Sequence, residues 1–167
     1  KFYNKKMKKF FYIILPYILI VLISGCAGYE PIFSSTNFKF KIANYSIDGE
    51  EIIGKRIYSK LYSASASEET DEVRNIEITL NILKDKNETA RNSAGKIIEY
   101  KITLNAEIVV EDFMTKDEVL NQSFTSSLTY KVQDQYSDTL KLENQTIENL
   151  VNNIYEKLLI QLSEKLQ

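Results

Sequence analysis

Three stretches of this chain alternate apolar and polar residues with a period of two, and that period dictates half-buried strands rather than helices. The longest passes through Ile98, Tyr100, Ile102, Leu104, Ala106, Ile108 and Val110, with Glu99, Lys101, Thr103, Asn105 and Glu107 on the opposite face. Before it, Ile76, Ile78, Leu80 and Ile82 alternate with Glu77, Thr79 and Asn81. After it, Leu120, Phe124, Leu128, Tyr130 and Val132 share one parity, faced by Asn121, Ser123, Thr125, Ser127 and Thr129. Such alternation belongs to an antiparallel sheet with one face on a core and the other in water. Lys84 to Lys96 and Thr115 to Glu118 read as the connections.

Phe38, Phe40 and Ile42 alternate with Lys39, Lys41 and Ala43 and predict a fourth strand at the front. Asp48-Gly49-Glu50-Glu51 resembles a capping box, with Asp48 accepting from early helix amides and Glu51 reaching back. Ile53, Ile57 and Leu61 then follow at helical spacing, so a helix over about 50–64 is expected, weakened slightly by Gly54. Ser63 to Asp71 is small, polar and acidic, a loop. A long amphipathic helix is expected over about 139–165, with Asp138 as N-cap. Its apolar stripe is Ile147, Val151, Ile154, Leu158 and Leu162, widened by Leu150 and Tyr155. The expected fold is α+β in the order β-α-β-β-β-α. A four-stranded, mostly antiparallel sheet carries two helices on one face, in a single domain over 38–167.

Ahead of that domain the character changes. Lys1, Lys5, Lys6, Lys8 and Lys9 precede an apolar run from Phe10 to Ile23, interrupted by Pro16. The run suits a signal peptide and is short for a spanning helix. It closes on Leu22-Ile23-Ser24-Gly25-Cys26, with small residues before the chain's one cysteine. That is the pattern of a bacterial lipoprotein signal: cleavage between Gly25 and Cys26, and a thiolate that a lipid donor can alkylate. The expectation is a signal peptide over 1–25, a lipidated tether over 26–37 and a periplasmic domain behind it. The competing reading of the run is a single-pass anchor. Met7-Lys8-Lys9 reads as a natural start. Ala27 stands where aspartate marks inner-membrane retention in enteric bacteria, which points to the outer membrane.

Cleavage after Gly25 would leave 142 residues (167 minus 25), enough for one ordinary core. It would also remove five lysines, leaving 16 Lys+Arg against 23 Asp+Glu, a net charge near −7. A generic nucleic-acid binder is basic, so no nucleic-acid partner is expected. The chain has no histidine. That removes the usual general base and the commonest metal ligand, and excludes zinc sites of the Cys/His type. An enzyme such as a periplasmic hydrolase is therefore disfavoured, and no cofactor or metal is expected.

The chain resembles the LPS-assembly outer-membrane lipoproteins of the LptE family. The segment Cys26-Ala27-Gly28-Tyr29-Glu30-Pro31-Ile32-Phe33 is similar to the Cys-Gly-Tyr/Phe-x-Pro-Leu start of alphaproteobacterial members, with Ala27 inserted. The element order matches, as does the run from a long middle strand through Ser126-Ser127-Leu128-Thr129-Tyr130 into a closing helix. The helices lack the family's alanine-rich face. The resemblance implies a non-enzymatic role. Family members plug the large LptD β-barrel, assist its assembly and contact lipopolysaccharide as it enters the outer leaflet. The alternative is an auxiliary lipoprotein of a lipid-trafficking transporter.

Four motifs invite chemistry. Ser93-Ala94-Gly95-Lys96 matches S-x-x-K, but in a glycine-containing connection without S-D-N or K-T-G later, so it reads as a turn. Asp85, Asn87 and Thr89 are spaced like calcium ligands, yet the glycine and glutamate of an EF-hand are missing. Glu68, Glu69, Asp71 and Glu72 read as a solvated loop. Lys84, Lys86, Arg91 and Lys96 gather four cations in one connection of an acidic protein, where lipopolysaccharide phosphates would be held by charge-assisted hydrogen bonds. Asp85 and Glu88 partly cancel that charge, and a solubilising loop is the competing reading. The uncharged set Thr103, Asn105, Thr125, Ser127 and Thr129 suits a wet protein contact or plain solvent.

Overall fold

The computed structural model describes residues 39–65 and 73–166. The expected signal peptide with Gly25 and Cys26, the tether, Phe38 and the Glu68–Glu72 acidic run lie outside the described residues.

The order of elements is β1 (Phe40–Gly49), α1 (Glu51–Ala64), β2 (Arg74–Arg91), β3 (Ile97–Asp112), β4 (Glu118–Lys131) and α2 (Tyr136–Lys165). The strands form one sheet in the order β1-β2-β3-β4. β1 runs parallel to β2, through a crossover that α1 supplies; the other pairs are antiparallel. The even-numbered residues of β2, β3 and β4 face a single core with both helices. Ile76, Ile78, Leu80, Ile82, Ile102, Leu104, Ile108 and Val110 are fully buried there. α2 contributes Leu150, Val151, Ile154, Leu158 and Leu162, and α1 contributes Ile53, Ile57 and Leu61. The two helices also meet each other, where Arg56 and Lys60 pair with Glu148.

β1 keeps its core contact through a bulge between Ile42 and Asn44. One extra residue inverts the side-chain parity. Phe40 and Ile42 are buried before it. After it Tyr45 faces α1, its ring 3.9 Å from that of Tyr58. Asn44 and Ser46 turn to the wet face, where they donate to Glu77 and Thr79 at 2.7 and 3.0 Å. Gly54 has a packing reason: a Cβ there would lie 2.5 Å from Ile47 Cγ2, so the glycine lets α1 approach β1. Gly49 sits at φ +78 with Ile82 O only 2.1 Å from where its Cβ would be.

Three local expectations are corrected. The capping box does not form. Asp48 remains in β1 and accepts from the Gly49 amide at 2.9 Å, while Glu50 holds the N-cap position with no side-chain bond to the helix amides. The start of α1 is instead fixed from outside, by the Glu50 amide donating to Ile82 O at 2.9 Å. Asp138 is not the N-cap of α2 either. The helix begins at Tyr136 behind Gln135, and the Thr139 hydroxyl accepts from the Gln133 amide at 2.8 Å. The third correction bears on function: Lys84 to Lys96 is not one loop. β2 continues to Arg91, and only 92–96 turn. Asn92 organises that turn by accepting from the amides of Ala94 and Lys96, with Gly95 at φ +80.

Candidate functional site

The longer β2 redistributes the four cations. Lys84 lies opposite Leu104, and Lys86 opposite Ile102, on the core-facing parity of the strand. Lys84 pairs with Glu50 at 3.6 Å. Lys86 reaches Glu143 of α2 at 2.6 Å. Arg91 pairs with Glu88 and donates to Gly95 O at 3.0 Å. Lys96 is exposed on the turn. From Lys84 to Arg91 the strand rises about 23 Å, so the four do not converge on one anion; Arg91 and Lys96 are the pair at the tip. Ser93 and Lys96 belong to the turn, with no helix to align them. Asp85, Asn87 and Thr89 alternate along an extended strand and cannot enclose one ion, and Thr89 donates to Glu99 at 2.7 Å.

Lys86 is the centre of a clamp. Its ammonium lies 4.6 Å from the Tyr100 ring centroid and 5.6 Å from that of Tyr130. Those rings stack with centroids 5.9 Å apart, and Tyr130 donates to the same Glu143 oxygen at 2.9 Å. Burial opposes each charge here. For Lys86 the Glu143 carboxylate and Tyr130 together outweigh it and hold the ammonium above its ordinary value. For Glu143 the hydrogen bonds from Lys86 and Tyr130 outweigh it and hold the carboxyl below. Burial pushes the Tyr130 phenol up. The arrangement fastens the first half of α2 to the far end of the β2–β3 hairpin.

Sequence reasoning passed over Glu143, although a signal was present. It falls four residues before Ile147, in line with the apolar stripe, and a carboxylate at a stripe position implies a partner beneath it.

The opposite sheet face carries no helix among the described residues. Pairing brings Thr103 opposite Ser127, Asn105 opposite Thr125, and Lys101 opposite Thr129, so the five predicted polar residues form one patch. Thr125 donates to Asn105 at 2.8 Å across the strands. Leu83 lies opposite Asn105 on the same face and is 55% exposed. It is an apolar point in a polar field, announced in the sequence by Ile82-Leu83 breaking the alternation.

No family model and no curated protein matches the chain. Solved structures do resemble it. A lipoprotein from Caulobacter crescentus has TM-score 0.52 at 13% identity, covering 80% of this chain and 95% of its own. Lipoprotein B from Nitrosomonas europaea has TM-score 0.53 at 9% identity, covering 74% and 84%. The rare lipoprotein B from Shewanella oneidensis has TM-score 0.50 at 10% identity, covering 72% and 94%. At such identities the likeness is one of fold.

Proposed function

We propose that this protein is a non-catalytic lipoprotein of the outer membrane, anchored through Cys26. Its domain plugs and helps to assemble an LptD-type β-barrel, and it contacts lipopolysaccharide on its way to the outer leaflet. The observation that carries the reading is a conjunction: a small-small-Cys signal precedes a domain whose fold is that of three bacterial lipoproteins. The uncovered face supports docking. Uncharged side chains lose little on desolvation when they find new hydrogen bonds, and Leu83 offers an apolar anchor. The absence of histidine from the chain supports a role without acid–base chemistry. For lipopolysaccharide the hairpin tip is the contact, through Arg91 and Lys96, while Lys84 and Lys86 are engaged by Glu50 and Glu143. Each charge-assisted bond to phosphate contributes about 1.5–3 kcal/mol where water is excluded and much less where it is not.

The test is recovery of partners from solubilised outer membranes with the tagged full-length protein. A β-barrel is expected in the eluate, and Leu83→Ser should deplete it without loss of fold. Recovery of inner-membrane transporter subunits instead would establish the transporter-accessory role. Cys26→Ser should leave unprocessed precursor in the inner membrane; normal processing and sorting of that variant would remove the lipoprotein reading.

A further inference from the structure

One end of the sheet gathers features that the docking face and the hairpin tip do not use. The chain enters the domain there: the Lys39 carbonyl accepts from the Arg74 amide at 2.9 Å as β1 begins. Arg74 pairs with Asp112 at 3.2 Å, at the end of β3. Asp112 in turn builds the β3–β4 turn. Its carboxylate accepts from the amides of Met114 and Thr115 at 3.0 Å each, and its carbonyl accepts from the Lys116 amide at 2.9 Å. The Phe113 amide is held by Asn75 O at 2.9 Å. Lys116 adopts φ 62, pairs with Glu77 at 2.6 Å and lies 4.9 Å from the Phe113 ring centroid.

This bonded turn presents apolar side chains to water. Met114 is 78% exposed and Phe113 38%. A turn built only for solvent would take polar residues at its tip. Two strand spacings, about 10 Å, separate it laterally from the start of β1. Thirteen chain steps lie between Cys26 and Lys39, a reach of at most about 45 Å.

We propose that the Phe113–Met114 turn dips into the headgroup–acyl boundary of the membrane that holds the lipid on Cys26. The proposal rests on acylation of Cys26. This end carries Lys39, Lys41, Arg74 and Lys116 against Glu77, Glu111, Asp112, Asp117 and Glu118, with Arg74 paired to Asp112 and Lys116 to Glu77, so a net positive charge that would attract anionic lipid is not present among these residues and the contact is apolar. Two side chains bind a bilayer weakly by themselves. The anchor confines them beside it, and the high effective concentration populates the contact.

The experiment uses the lipidated full-length protein in phosphatidylcholine–phosphatidylethanolamine vesicles containing a headgroup spin-labelled lipid. Acylated Cys26 has no free thiol and the chain has no other cysteine, so Met114→Cys and, at the opposite tip, Ala94→Cys each accept one fluorophore. Quenching at position 114 at least twofold stronger than at position 94, reduced by adding Phe113→Ser, is the expected result. Equal quenching at both positions overturns the proposal. So does shielding of position 114 that requires an added barrel and shows no lipid quenching. Failure of the lipoprotein reading is seen separately, as protein that does not float with the vesicles.

Discussion

The two halves of β2 obey the same alternation but are covered differently. From Arg74 to Ile82 the strand lies between β1 and β3, beneath α1, and Ile76, Ile78, Leu80 and Ile82 are fully buried. The last β1 pairing is Gly49 with Ile82. Beyond it, among the described residues, β2 has β3 as its one strand neighbour, and its core-facing parity is taken over by Lys84 and Lys86. The first half is held by non-directional burial. The second is held by a directional clamp of ammonium, carboxylate and two phenol rings, which ties the projecting hairpin to α2. Where the β1 pairing ends, long side chains reach a specific partner while their stems pack on the sheet.

The largest effects should come from the first half. Leu80→Ala or Leu158→Ala removes a fully buried side chain and should cost about 2–5 kcal/mol in urea unfolding. A cost below 1 kcal/mol would mean the core is not the shared support. Gly49→Ala, at the boundary, forces a Cβ against Ile82 O from a positive φ and should cost about 1–3 kcal/mol. In the second half, Lys86→Ala should cost about 1–2 kcal/mol through the lost ion pair and ring contacts. Its signature should be local. Amide exchange over 83–91 should accelerate while exchange over 74–82 barely changes; uniform acceleration would merge the two regions into one unit.

The clamp also predicts a pH dependence of stability. Glu143 titrates below the ordinary 4.5 in the folded chain. The unfolded chain therefore binds more protons in that window, so the contribution is present above the ordinary value and lost as pH falls through the folded one. Lys86 titrates above its ordinary 10.5, so its contribution is present below that value and lost as pH rises through the folded one. Glu143→Gln should flatten part of the acid limb in thermal unfolding from pH 6 down to 3; an unchanged limb would show that other carboxylates carry it. The smallest effect is expected at the tip. Lys96→Ala should change stability by less than about 0.5 kcal/mol, and a greater loss would mean the turn has a structural role for its cation.

The cations were misplaced in the sequence for a physical reason. Apolar alternation in β2 ends at Ile82, and a run of Lys84, Asp85, Lys86, Asn87 and Glu88 reads as solvent. The strand continues because β3 keeps its alternation at the matching register, with Ile102 opposite Lys86 and Tyr100 opposite Glu88. Backbone pairing follows the neighbour as well as the local composition. The same holds for both helix starts. Asp48 and Asp138 are good caps by type, yet a strand neighbour of the first helix, and the extended Gln135 with the Gln133–Thr139 bond at the second, set the first turns.

The sequence alone determined the element order, the sides of β2, β3 and β4, the stripes of both helices and the contiguity of polar positions on one face. Those follow from periods of 2.0 and 3.6, which each segment carries in its own residues. The bulge that inverts β1, the extension of β2 to Arg91, the clamp around Lys86 and the apolar turn beside the start of β1 were decided only by tertiary structure. Each depends on what a distant segment presents at contact: Glu77 and Thr79 beside β1, β3 beside the second half of β2, Glu143 above Lys86, and Arg74 linking β1 to Asp112. A pairing between residues tens of positions apart leaves no periodic trace in either partner.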